Sequence, residues 1–442
     1  MQSWSASRIL MGALRLLSAP AASLLLVVLT CSGGLSAYSV LTHEEIVDLL
    51  WTDKIQPLLL ARYPGLSEDQ IREAHAYAYG GAVIQDLGYY PFGNKEFSNL
   101  VHYVRSGDFV RELLLESQDV NEYAFALGAL SHYVADIDGH PAVNQAVAIE
   151  FPKLRAKFGK SVRYAQDKTA HLKIEFGFDT VQVAKNRYAS QQYHDFIGFQ
   201  VSKSLLERVF PVVYGVELKD VLTHEDLAVG SYRFAVSRLI PQMTQVALQT
   251  HKKDLIRETP NFAKRKFLYR LSRSSYEKEW GKDYVKPGVG TRILSTLVRY
   301  MPRIGPFKGL AFKNPTRQTE DLYIKSINAT VDQYRHLLEE VDTTTLTTLV
   351  LPNCDLDSGQ PTKAAEYSLA DNAYAKLLGQ LSERKFDRTS PELRDNILDF
   401  YSDLSAAIEM KKDADDWKNV LSELDQLKSI ASTPMAARNP AP

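Results

Sequence analysis

The sequence predicts an all-α protein, and two observations carry that expectation. Apolar residues recur at helical spacing, as at Ile46, Leu49, Leu50 and Leu58 and again at Phe196, Phe199, Leu205, Leu206 and Val209. Alternating runs bounded by paired turn signals, the mark of half-buried strands, are scarce. At 442 residues and 45% hydrophobic, the chain suffices for one large domain with a second element, or for two domains. The formal net charge of −1 supplies no global field for nucleic acid or for an anionic surface, so any such preference must be local.

Residues 1–37 are expected to be a signal peptide. Arg8 and Arg15 precede an apolar run from Leu16 to Thr30, and small residues lead up to Ala37. Cleavage after Ala37 predicts a secreted or periplasmic protein. Lipid anchoring at Cys31 is the minor alternative, because Thr30 makes a poor lipoprotein box. No later stretch holds the roughly 18 to 20 uninterrupted apolar residues a membrane span requires. Cys31 and Cys354 are the only cysteines, so a disulfide framework is excluded and metal is the remaining staple.

Residues 38–255 form the expected catalytic domain. His43 lies close to its start. Gly80-Gly81, Gly88, Pro91, Gly93 and Asn94 break the helical pattern around Asp86, which predicts an irregular loop that delivers a carboxylate into a site. His102 follows. Tyr89, Tyr90, Phe92, Phe97 and Tyr103 surround this loop; they box a quaternary ammonium headgroup, stack on a base, or simply pack the loop.

An apolar helix from Tyr123 to Tyr133 leads into His132, Asp136 and His140. Residues four apart share a helix face, so His132 presents its imidazole with the carboxylate of Asp136. His171 and Glu175 repeat the arrangement. Chance produces single pairs of this kind, but two pairs in a chain of ten histidines, with buried charge in an apolar helix, point to a zinc-type ligand set. Gly139 is expected to end the helix and let His140 swing inward. His75 reads as a packed residue, Asp138 and Asp179 as solvated acids or supports for ligands, and His194, His224, His251 and His336 have no constellation.

Leu227 to Leu248 predicts a further long helix, and composition shifts near Thr259-Pro260. Residues 256–430 are an expected helical extension containing the basic stretch 284–319, which has no acid between Tyr284 and Thr319. This stretch either rests on an anionic lipid surface or forms a helix pair packed on the catalytic domain. Asn353–Pro361 reads as a polar loop, and 431–442 as a mobile tail.

The order His43, Asp86, His102, His132-x3-Asp136-x3-His140, His171-x3-Glu175 resembles the zinc-dependent phospholipase C family and its relatives, the single-strand-specific zinc nucleases. The resemblance spans Tyr38 to His251. It implies a multi-helix zinc domain with up to three zinc ions. Asp86, His102, His132 and Asp136 would hold the first, and His140, His171 and Glu175 the second. His43, a bridging Asp136 and the amino group and carbonyl of Tyr38 would hold the third, which requires cleavage after Ala37. Tyr38 stands where the family usually has tryptophan. The gap from Asp136 to His140 is two residues shorter than in the bacterial enzymes, resembling glycosylphosphatidylinositol-specific phospholipase D relatives.

The implied reaction is hydrolysis of a phosphodiester by a zinc-activated water, with Asp86 orienting or deprotonating that water and Asp136 setting the metal separation. Glu175 and the following Phe176-Gly177-Phe178-Asp179 resemble the phospholipases, whereas the spacing from Tyr38 to His43 resembles the nucleases. The near-neutral charge favours phospholipase C-type cleavage of a phospholipid, with peripheral membrane contact. The alternatives are a single-strand nuclease, with nucleic acid as substrate, and a non-catalytic zinc-stabilised binding module. The sequence is silent on oligomeric state.

Overall fold

The computed structural model describes residues 39–184, 198–236, 240, 313–343 and 346–430. Residues 1–37, Tyr38, the tail 431–442 and the basic stretch up to residue 312 lie outside the described residues, as does half of the expected helix Leu227–Leu248.

The fold is all-α, as the periodicity predicts. Helix α1 (Val40–Leu50) passes through a π turn at Trp51–Ile55 into α2 (Gln56–Arg62). Helix α3 (Glu68–Gly81) opens with a capping box in which Ser67 Oγ accepts from Gln70 N and the Gln70 side chain accepts from Ser67 N. A 3-10 turn at Ile84–Tyr89 leads to α4 (Lys95–Tyr103), α5 (Ser106–Glu116) and α6 (Val120–Glu150). There follow α7 (Pro152–Phe158), α8 (Lys168–Ala184), α9 (Lys203–Tyr214), α10 (Leu218–Val221) and α11 (Glu225–Phe234). The later part holds α12 (Arg317–Thr343), α13 (Ser368–Glu383), α14 (Pro391–Phe400) and α15 (Ala414–Ser429). Between α12 and α13, β1 (Cys354–Asp355) pairs antiparallel with β2 (Gln360–Pro361).

Helix α6 is the axle of this arrangement. Its 31 residues span about 46 Å, and Asp119 caps its start by accepting from the N–H groups of Asn121 and Glu122. Every side chain from Tyr123 to Asp136 is buried, so this half is enclosed on all sides rather than amphipathic. Helix α12 covers one flank, where Tyr334 donates from its hydroxyl to Leu127 O. The buried apolar residues form one contiguous cluster from Val40 to Leu427, so the described helices beyond residue 313 share a core with the earlier ones.

Helix α3 ends at Gly81, and irregular structure follows it around Asp86 as the glycine cluster predicts. Gly81 and Gly128 also let α3 and α6 cross in backbone contact: a Cβ at Gly81 would lie 1.9 Å from Phe125 O, and one at Gly128 would lie 2.0 Å from Ala78 O. One expectation about a helix end is corrected: Gly139 does not end α6, which continues past Gly139 and Pro141 to Glu150. His140 faces inward because it lies four residues after Asp136 on the same helix face. The helix forgoes one hydrogen bond there, since Pro141 has no N–H to donate to Ile137 O.

The α3–α6 crossing yields a direct test. Gly128→Ala must push apart two backbones that have no flexible side chain between them, which is expected to cost about 1–3 kcal/mol or more. Urea unfolding of the variant should show a lower midpoint; an unchanged midpoint would contradict the backbone contact.

Candidate metal centre

Four elements converge on one point beside α6. His132 and Asp136 lie one turn apart on that helix, with His132 Nε2 3.1 Å from Asp136 Oδ2. His102, near the end of α4, brings its Nε2 to 3.4 Å from the same oxygen and to 3.5 Å from Asp86 Oδ1. Asp86 sits in the 3-10 turn that replaces regular helix after α3. His43, on α1, places Nε2 3.7 Å from Asp136 Oδ1, and its ring stacks on that of His132 with centroids 4.3 Å apart. All five residues are at most 1% exposed. The ligand atoms of His43, His132 and Asp136 lie within 4.8 Å of one another, as do those of Asp86, His102 and His132.

The imidazoles are aimed by main-chain carbonyls. A carbonyl oxygen only accepts, so the ring nitrogen facing it carries the proton and the other nitrogen keeps its lone pair. His132 donates from Nδ1 to Ala82 O at 2.9 Å, and His102 from Nδ1 to Ser98 O at 2.7 Å. Each therefore turns Nε2 toward Asp136. This is how a protein fixes the tautomer of a ligating histidine.

A second group adjoins the first. His140 and His171 face one another edge-on with ring centroids 6.4 Å apart, and His171 Nδ1 lies 3.3 Å from Glu175 Oε1. His171 reverses the usual orientation: it donates from Nε2 to Val162 O at 2.7 Å, leaving Nδ1 as the lone-pair nitrogen. His140, His171 and Glu175 are buried, but their ligand atoms are not gathered within the 4.8 Å of the two triads. Tyr38 lies outside the described residues.

The structure also brings in a residue that sequence reasoning missed. Asp357, in the hairpin between β1 and β2, places Oδ1 3.4 Å from His140 Nδ1. Its other oxygen accepts from the hydroxyls of Tyr103 and Tyr367. The one available signal was the acid pair in Asp355-Leu356-Asp357-Ser358-Gly359, where a Ser-Gly turn follows two carboxylates.

The aromatic residues around Asp86 mostly pack. Phe97 stacks on Phe210, Tyr90 meets Tyr232 edge-on, and Tyr103 bonds Asp357. Tyr89 lies near His102 and Tyr164, and Phe92 is 61% exposed. His75 is a packed residue: its ring stacks on Trp51 and its Nε2 lies 2.9 Å from Asp48 Oδ1. Asp179 ties down the start of α1 by accepting from Leu41 N and Thr42 Oγ1.

Electrostatically the centre is uneven: against the effect of burial, His132, His140 and His102 hold Asp136 well below the usual carboxylate range. Burial, reinforced by Asp86, Asp136, Asp357 and Asp179, raises Glu175 well above the usual carboxylate range. Burial disfavours charge on His102 most of all, yet Asp136, Asp86 and Asp357 together outweigh it and lift the imidazole to about 9. Burial and the neighbouring His132 hold His43 well below 6.5, and burial takes His171 down to about 4. The contacts of Asp136 to the imidazoles are close but poorly aligned, and neither of its oxygens has a formed hydrogen bond among the described residues. The same holds for His132 Nε2 and Glu175 Oε2. Buried carboxylate oxygens of Asp136 and Glu175 and the buried His132 Nε2, gathered with other imidazoles, are the donor types of a zinc site, so the residues fit that metal.

Imidazoles and carboxylates turned inward from one long helix are the arrangement from which helical bundles build metal sites. Residues 42–223 match the family model of zinc dependent phospholipase C, and this segment of the chain carries a domain of that family. The match takes in every candidate ligand from His43 to Glu175. No curated protein and no solved structure matches the chain.

Two outcomes follow from this charge distribution. Zinc affinity of the zinc-free protein should rise as pH increases from neutrality toward about 9, because His102 must shed its proton to offer Nε2. Glu175 adds to the protons displaced, whereas His43 and His171, already neutral, add none. Chelator competition across that range checks the sign, and a flat affinity would contradict it. Removing zinc should also lower the melting temperature, since buried acids lose their compensation at a cost of about several kcal/mol. Identical melting curves with and without chelator would refute this.

Proposed function

We propose that the protein is a secreted zinc-dependent phosphodiester hydrolase that cleaves phospholipid headgroups in the manner of a phospholipase C. The observation that carries this reading is Asp136, a fully buried carboxylate with Oδ1 toward His43 and Oδ2 toward His132 and His102, inside the segment that matches the zinc dependent phospholipase C family. One carboxylate offering separate oxygens to two imidazole sets is suited to bridge two metal ions and set their separation. Zinc held there supplies Lewis acidity: it makes water nucleophilic near neutral pH and offsets the charge that gathers on a phosphodiester as it is attacked.

In this reading Asp86, His102, His132 and Asp136 hold the first ion, and His140, His171 and Glu175 the second. His43 and Asp136 hold the third with the amino group and carbonyl of Tyr38. The anchoring of α1 by Asp179 supports that last assignment, because it holds residues 39–42 beside the centre. Asp86 has its carboxylate at the edge of the His102 and His132 triad, where it can orient or deprotonate the attacking water. The family match favours a phospholipid over a nucleic acid as the substrate.

Asp136→Asn retains size while removing the charge that two ions share. Turnover should fall by more than the roughly 10- to 100-fold that loss of a ligand's hydrogen-bond partner costs, and bound zinc should drop. Elemental analysis with a phosphodiester dye checks both; near-normal values would contradict the bridging role. A panel of phospholipids and single-stranded oligonucleotides tests the substrate. Cleavage of oligonucleotides alone would replace the reading with a nuclease, and zinc binding without turnover would replace it with a binding module.

The N-terminus supplies a separate test. A free α-amine has an ordinary pKa near 8 and binds metal only when deprotonated. Extension of the chain by one residue before Tyr38 should therefore lower turnover while leaving the helical fold intact. Equal activity of the two forms, or secreted protein that starts elsewhere, would remove Tyr38 from the ligand set.

A further inference from the structure

The turn between β1 and β2 is sewn into the earlier helices at several points. Asn353 Oδ1 accepts from the N–H groups of Gly107 and Asp108 at the start of α5. Ser106 Oγ donates to Cys354 O and accepts from Cys354 N. Leu356 N donates to His102 O at 3.2 Å, and Asn144 Nδ2 donates to Asp357 O at 3.0 Å. Gly359, at φ +68°, rests against Ile137 O, the carbonyl that Pro141 leaves without a helical donor; a Cβ there would lie 2.4 Å from that oxygen.

The tip of this turn reaches His140. Nδ1–H of that imidazole donates to Leu356 O at 2.7 Å, with Asp357 Oδ1 at 3.4 Å from the same nitrogen. The Asp357 carboxylate is held from behind by the Tyr103 and Tyr367 hydroxyls on Oδ2, which leaves Oδ1 turned to the imidazole. His132 and His102 take their acceptors from Ala82 and Ser98, both within the segment that matches the zinc dependent phospholipase C family, whereas His140 takes its acceptors from well beyond it.

We infer that the 353–361 hairpin is a working part of the metal centre, and that Asp357 together with Leu356 O positions His140 for metal binding through Nε2. This rests on the reading of His140 as a zinc ligand. Asp357 is a positioning residue: it acts through the imidazole by holding the Nδ1–H tautomer, which leaves the Nε2 lone pair for the metal.

The test uses the full chain, stripped of zinc and titrated with zinc alone, as wild type, His140→Ala, Asp357→Asn and Gly359→Ala. Asp357→Asn is nearly isosteric. With its amide oxygen kept toward the two tyrosine hydroxyls, its NH2 faces His140 Nδ1–H, donor against donor. Gly359→Ala leaves every polar group in place but forces the turn off Ile137 O. His140→Ala should lose one zinc ion. Both hairpin variants should keep wild-type helical circular dichroism and the remaining zinc, but bind one ion about 10- to 100-fold more weakly. The ring nitrogen shifts of 15N-labelled His140 should depart from the Nδ1–H form expected of wild type.

Wild-type zinc titrations and ring shifts in both hairpin variants, with one ion lost in His140→Ala, would overturn the positioning role and leave the ligand set standing. A wild-type titration in His140→Ala itself would overturn the assignment of His140, and this inference with it.

Discussion

A carboxylate enclosed by protein, with neither oxygen in a formed hydrogen bond among the described residues, is the constraint on which the rest of the molecule depends. Asp136 occupies that position at the middle of α6, and Asp86, Glu175 and Asp357 crowd the same volume. Such a group is tolerable only where positive charge answers it. The architecture can be read as the means of bringing imidazoles to it: α1 carries His43, α4 carries His102, and α6 itself carries His132 and His140. The close glycine crossing of α3 on α6 sets where the turn bearing Asp86 begins.

Orientation is as important as proximity. Four histidines in the centre spend one ring nitrogen on a carbonyl, and in three of them the nitrogen so used is Nδ1. His171 spends Nε2 instead, because its place on α8 sets that nitrogen against Val162 O. The centre is thus built from main-chain geometry as much as from side-chain identity. A carbonyl acceptor leaves no trace in the sequence, since any residue can supply one.

This explains what the sequence made legible. The all-α class followed from periodicity, and the pairs His132 with Asp136 and His171 with Glu175 followed from helical spacing, because both properties are local. That His43, Asp86 and His102 meet at Asp136 followed from order and resemblance, since contacts between distant segments have no period. Gly139 is the exception: glycine inside a helix held by tertiary packing and glycine that ends a helix look alike in sequence. Asp357 was invisible as a site residue because it lies in a turn, without helical spacing to any partner and outside the reach of the family resemblance.

The hairpin against α6 also bears on the order in which the molecule is made. His140 and the carbonyl that orients it are separated by 216 positions, and the closure of so long a loop is paid before its contacts form. Synthesis proceeds from the N-terminus, so every residue of the helical bundle that matches the family has left the ribosome before Leu356 exists. The helices that carry the imidazoles and acids are therefore made before the brace on His140, which is added later together with Tyr367 behind it. Maturation of the centre is in this sense a late event, timed by the arrival of a short turn rather than by the folding of the helices that carry its ligands.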